Sequence, residues 1–344
     1  MIASFEALLG SPWLYGLVVG LIVANVLLTV GGFASWWERK FAAAMQNRVG
    51  PNIVGPAGIF QPIADLLKML QKEDIVPRSA DRAMFNLAPA LPTALALGTA
   101  AVVPWAGIWN EEGRWVNQFV VADLDVGMLW VLALAGMMVF PLWMAGWASN
   151  NKYTLLAGMR TVAQGVSYEI PMVLSALVPV IAVGSLSISD IVSWQAENGW
   201  LIYRSYGVGF FAFVLFFLTS LAEANRIPFD IPEAESEIVA GVMVEYTGIK
   251  FGLFLLAEYI HTFVASLLAA VLFLGGAHGP APELVGPLWL LLKAGALFVF
   301  IYWVRWSWYR FRADQLMELC WRVFVPFSLV LVMAMAVLVA AGAM

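Results

Sequence analysis

The sequence predicts an all-α, polytopic membrane protein with about eight transmembrane helices and one further amphipathic helix lying in the membrane interface. Three observations carry this expectation. Hydrophobic residues make up 62% of the chain and charged residues 12%, about half the charged share of an average soluble domain. Eight apolar runs are each long enough to cross about 30 Å of hydrocarbon. Of the 18 Lys and Arg, 15 fall in connections on one side of those runs, and the positive-inside tendency makes that side cytoplasmic. The chain, 1–344, reads as a single membrane domain with both termini outside.

In chain order the spans are placed at 12–32, 86–107, 127–147, 160–184, 206–224, 251–275, 286–306 and 321–343. The cytoplasmic loops are 33–85, 148–159, 225–250 and 307–320. The apolar run after MIASFEALLG lacks a basic leader and is too long for a cleaved signal, so the first span is expected to persist. The first loop is too long for a simple connector. Its opening, ERKFAAAMQNRVGPNIVGP, has turn chemistry at Gly50, Pro51, Gly55 and Pro56. Ile59, Phe60, Ile63, Leu66, Leu67 and Leu70 then recur at helical spacing, with Asp65, Lys68 and Lys72 elsewhere. That pattern is an interfacial amphipathic helix. The outer loop bearing Glu111, Glu112, Asp123 and Asp125 is expected to be solvated, and Lys293 in the seventh span is a candidate to snorkel outward.

Carboxylates inside spans are costly, and such groups usually face protein and mark function. Glu169 lies in the fourth span, Glu258 in the sixth and Glu223 at the end of the fifth, all in the cytoplasmic half. The stretch Leu221 to Tyr246, LAEANRIPFDIPEAESEIVAGVMVEY, adds Asp230, Glu233, Glu235, Glu237 and Glu245. Part of that acidity is accounted for by a helix start, with Asp230 as N-cap, Glu233 at N3, Glu237 on the same face and Glu235 turned away. Protonatable groups in one half of the bilayer do not make a complete proton path. Such a path would enter from the cytoplasmic side and leave sideways into another subunit. Cys320 is the only cysteine, so neither an internal disulfide nor a thiolate cluster can form. Glu258 and His261 have Glu-x-x-His spacing without the second pair that a di-iron bundle needs. No covalent catalytic motif, internal repeat or strongly basic patch for nucleic acid is present.

The segments ERKFAAAMQNRVGPN, GIFQPIADLLKMLQKE, SNNKYTLLAGMR, SYEIP, AEANRIPFDIPEAESE, VEY and RFRADQLM closely resemble, in order and over nearly the whole chain, the H-subunit family of respiratory complex I. That family is the bacterial counterpart of mitochondrial NADH dehydrogenase chain 1. The resemblance implies a multi-pass subunit of a proton-translocating NADH:quinone oxidoreductase in the bacterial inner membrane, with no complete active site of its own. It further implies a quinone entrance and tunnel formed with the peripheral arm, and an acidic funnel linking quinone reduction to proton translocation. The substrate would be ubiquinone or menaquinone. NADH, FMN and iron–sulfur clusters would sit on partner subunits, which include peripheral-arm chains and the small membrane subunits beside the antiporter-like chain; membrane lipid is the other partner. Matched residue by residue, Glu38, Arg39, Arg48, Phe60 and Asp65 correspond to the quinone chamber, and Arg226, Phe229 and Asp230 to the tunnel-lining loop. Glu169, Glu223, Glu233, Glu235, Glu237 and Glu258 correspond to the funnel. Tyr309 and Ala313 depart from the family pattern and leave Arg310 and Arg312 without an assigned role. The alternatives are a membrane subunit of an energy-converting hydrogenase, a transporter using Glu169 and Glu258, and a structural anchor.

Overall fold

The computed structural model describes residues 12–109, 114–233, 235–280 and 282–344. Over them the chain is helical apart from one antiparallel hairpin, as an all-α membrane protein should be. Six helices are long and apolar enough to cross a membrane, and two shorter apolar helices, Ala90–Ala100 and Val208–Glu223, fall at the second and fifth predicted spans.

Helix α1 (Pro12–Met45) runs well past the predicted end at 32. The Gly31-Gly32 pair does not break it. A Cβ at Gly31 would lie 2.7 Å from Ile260, so this glycine serves close helix contact rather than a turn. The connection that follows contains α2 (Gln61–Gln71), the predicted amphipathic helix. Its stripe of Ile63, Leu66, Leu67 and Leu70 is exposed along its full length. After α3 (Arg82–Leu87), capped by Asp81 accepting from the Ala83 and Met84 amides, comes α4 (Ala90–Ala100).

The second predicted span ends early. Residues 101–105 turn, and β1 (Ala106–Trp109) pairs with β2 (Trp115–Gln118). Val102, Val103 and Trp105 are still buried, so hydrophobicity continued where the helix did not. The outer loop is therefore partly built into the protein, and Asp123 accepts a hydrogen bond from Ser189 at 2.6 Å. Glu111 and Glu112 lie outside the described residues.

Helices α5 (Gly127–Met137) and α6 (Val139–Ala148) form the third crossing. Helix α7 (Lys152–Val183) starts eight residues before the expected boundary because Asn151 caps it, accepting from the Tyr153 amide. Helix α8 (Ile188–Asn198) lies beside the hairpin, the short α9 (Leu201–Arg204) follows, and α10 (Val208–Glu223) crosses back. A loop holding the short α11 (Glu235–Ile238) leads to α12 (Gly248–Phe273). The last crossings are α13 (Pro282–Ser307) and α14 (Ala313–Leu319), the latter joined by a π-helical turn, Cys320–Phe324, to α15 (Val325–Ala340).

Helix α12 is the axis of the bundle. Its most apolar window is 78% buried, against 22% for the final crossing, and a helix apolar all round belongs inside. Lys293 of α13 completes its far end. The ammonium donates to the carbonyls of Leu274, Gly276 and His278 at 2.7, 2.9 and 2.7 Å and lies 4.4 Å over the Trp200 ring. It ties together carbonyls of the turn that follows the helix instead of snorkelling outward.

Candidate functional site

The other end of the bundle, where the long loops gather, concentrates buried charge. Helix α10 stops at Glu223, and Asn225 takes a left-handed conformation (φ 50°), a common helix stop. The chain then turns into the protein. Gln164 of α7 fixes this turn by donating to the carbonyls of Ala222 and Phe229 at 2.7 and 2.9 Å. Phe229, buried, stacks on Phe311, whose amide donates to the Pro228 carbonyl.

Arg226, 3% exposed, is the hub that results. Its guanidinium lies 3.7 Å from Glu38 of α1 and 3.5 Å from Glu258 of α12, and stacks 4.6 Å over Tyr259. Burial opposes its charge, but Glu258 and Glu38 outweigh burial, and its pKa is raised. Glu38 also pairs with Arg305 of α13 at 2.7 Å. Glu258 shares a hydrogen bond with Glu233, whose carboxyl pKa is raised by burial and by Glu258. An unbroken polar chain thus runs from Arg305 through Glu38, Arg226 and Glu258 to Glu233. Asp230 lies beside it, paired with Arg310 at 2.9 Å.

Next to this chain is a cavity with about 40 Å³ open to water centres, lined by Glu223, Glu233, Glu258 and His261 among apolar groups such as Pro92, Met138, Leu142 and Phe254. That is room for more than one water. His261 Nε2 lies 3.3 Å from Glu223 Oε1. Glu169 does not line the cavity. It packs against Gly136 of α5, and buried Tyr168 beside it feels the charges of both Glu169 and Glu223.

Several expectations are corrected. Asp230 does not cap a helix: the next helix starts only at Glu235, and Asp230 is drawn to Arg310 instead. Glu233 and Glu237 do not share a face: Glu233 turns toward Glu258, while exposed Glu237 pairs with Arg160 of α7. The side chain of Glu235 lies outside what is described. Glu38 and Arg39, adjacent on α1, point apart, because neighbours on a helix face differently. Arg39 pairs with Asp65 of α2 at 2.7 Å, near exposed Phe60, and exposed Arg48 bonds Gln46. The Arg39–Asp65 pair ties α1 to α2, with exposed Phe60 at the start of α2 and exposed Arg48 in the connection between the two helices. Arg305, Gln164, Tyr259 and His261 belong to the buried site although sequence reasoning gave them no part in it. Arg305 carried one usable signal: a cation at the end of a span needs a partner, and Glu38 had none.

Burial pushes the Asp230 carboxyl up to about 6, against the opposing pull of Arg310. The folded protein therefore keeps a proton there that the unfolded chain loses near pH 3.8. Its contribution to stability is greatest below that value, is lost as pH rises to about 6, and is flat above. Melting temperature measured against pH is expected to show this fall, and Asp230→Asn to remove it.

A family model described as NADH dehydrogenase matches residues 17–336. The H subunit of NADH-quinone oxidoreductase from Thermomicrobium roseum is 45% identical over 321 residues, covering 91% of this chain and 92% of that protein. NADH-quinone oxidoreductase subunit 8 of Thermus thermophilus is 42% identical over 328 residues (95% and 87%), and the H subunit from Geobacillus thermodenitrificans is 43% identical over 321 (92% and 92%). On matches of this length and identity, the chain belongs to the NADH dehydrogenase family, the family of the NADH-quinone oxidoreductase H subunits, and is a membrane subunit of that translocating oxidoreductase.

Proposed function

We propose that this chain forms the quinone entrance and part of the quinone chamber, and that it passes the charge change of quinone reduction into the membrane through its buried acidic chain. The loop face is then cytoplasmic, in a bacterial inner membrane, and meets the peripheral-arm subunits that carry FMN and the iron–sulfur clusters. Small membrane subunits beside the antiporter-like chain receive the signal. One observation carries the reading: the polar chain from Arg305 to Glu233 is continuous, buried or half-buried along its length, and ends at a cavity with room for water that bears Glu223. The exposed apolar stripe of α2, with Phe60 at its start and the Arg39–Asp65 pair and Arg48 nearby in the chain, supplies an apolar approach edged by a few polar groups, as a quinone tail and head require. A change of charge at the loop end would shift the proton occupancy of Glu233 and its neighbours, because like charges in a low-dielectric site cannot all ionise. The glutamates then act as proton carriers rather than as ties between helices.

Glu169→Gln and Glu223→Gln test this. In the assembled complex, reconstituted in liposomes, each is expected to lower quinone-dependent proton translocation by roughly tenfold or more, since a positioned proton carrier contributes at least that much. Co-purification of the other subunits should be retained. Wild-type translocation in both variants would leave the anchor reading in its place.

A further inference from the structure

Resting on that reading, we propose that His261 is a proton-relay residue, carrying protons across the cavity between the Glu258 and Glu233 pair and Glu223. Four observations support it. His261 is 6% exposed and sits one helical turn beyond Glu258 on α12, so both face the cavity. Its Nε2 is 3.3 Å from Glu223 Oε1, and neither ring nitrogen has a hydrogen-bond partner among the described residues. A buried polar ring left without partners is costly unless its site serves another purpose. The cavity that it lines has room for water, which would need polar partners of the kind that the imidazole and carboxylates offer.

The surroundings restrict which groups can act with it. From α10 Glu223 faces the ring; from the loop Glu233 lines the same cavity, with Asp230 and Arg226 in its network; on the ring's own helix Glu258 lines it too. From α7, Tyr168 lies within reach of the Glu223 charge. Helices α4, α5 and α6 bring only apolar groups to the cavity, among them Pro92, Met138 and Leu142. Among the described residues, His261 is thus the one cavity-lining group able to carry positive charge, beside the carboxyl groups of Glu223, Glu233 and Glu258. Imidazole can bind a proton at either of its ring nitrogens. Its two nitrogens permit transfer without rotation of the ring. A protonated Glu233 or Glu258 gives its O–H proton through cavity water to one nitrogen, and the imidazolium then gives the proton on Nε2 to the Glu223 carboxylate. Each N–H or O–H bond broken is matched by one formed, and the ring ends neutral.

The experiment uses the whole complex in liposomes and reads proton translocation per NADH oxidised as a function of pH. Wild type is expected to show a pH-dependent limb. In His261→Gln and His261→Asn that limb should disappear and the translocation rate fall about tenfold. In Glu223→Gln the same limb should be moved or lost, which tests the pair from its other side should the histidine variants not assemble. His278→Asn, a change to the chain's other histidine, should keep the limb. If Glu223→Gln impairs coupling but the limb persists in the His261 variants, or is unmoved in Glu223→Gln when those variants do not assemble, the relay is wrong and the proposed function stands. If neither glutamate nor histidine variants alter translocation, both fail.

Discussion

Arg226→Met is expected to destabilise the protein by about 3–5 kcal/mol, the cost of leaving a buried charge without its counterion. The guanidinium compensates Glu38 and Glu258 together. Arg305 still reaches Glu38 after the change, but no other cation pairs with Glu258 among the described ion pairs. Glu258, hydrogen-bonded to Glu233, would then have to take up a proton or draw in water. The double variant Arg226→Met/Glu258→Gln removes the stranded charge along with its partner and should recover part of the loss, since pairs in one network couple strongly. Thermal midpoints of the purified complex, wild type against the two single variants and the double, give the coupling energy. Additive single effects would mean that the 3.5 Å approach does not represent an interaction. The ion pair need not favour folding over an apolar substitute. Its retention fits a chain whose charges must respond to one another.

Much of this arrangement was legible in the sequence, and the limits have physical causes. The crossings were readable because apolar length is a direct consequence of bilayer thickness. Their ends were not, because caps and packing set them: Asn151 starts α7 early, and Ile260 turns Gly31 into a helix contact. The apolar stripe of α2 was readable from its 3.6-residue spacing. The depth argument placed Glu223 and Glu258 together, and they do line one cavity, with Glu169 a step away behind Tyr168. Helix-start chemistry misread Asp230 and Glu233, because the loop is shaped by tertiary partners rather than by local capping. Arg310 and the Phe229–Phe311 stack hold one side, and Ile238, Val242 and Tyr246 pack with Phe85 on the other. Partners distant in sequence leave no periodic signal, which is why Gln164 was silent and neither Arg305 nor His261 was joined to this site.

Gly241→Ala should abolish coupled turnover, and the reason lies in backbone rather than side chain. Gly241 has φ +58°, and a Cβ there would lie 1.8 Å from the Pro232 carbonyl oxygen and 3.0 Å from the Glu233 Cα. A backbone carbonyl cannot swing aside as a long side chain can, so the segment carrying Glu233 must move away from Glu258. Gly207 provides the comparison. Its φ is +91°, yet a Cβ there meets nothing within 4 Å. Gly207→Ala therefore costs only the left-handed penalty, about 1 kcal/mol, and should leave coupling intact. Gly241→Ala carries that same penalty plus an overlap that only loop displacement relieves, so its cost should be several times larger. Measuring proton translocation and melting temperature for both variants separates the two contributions. Equal, mild effects would show that the 231–241 loop can be rearranged without consequence, and Glu233 would then have no place in the path. Loss confined to Gly241→Ala ties coupling to the backbone geometry that sets Glu233 against Glu258.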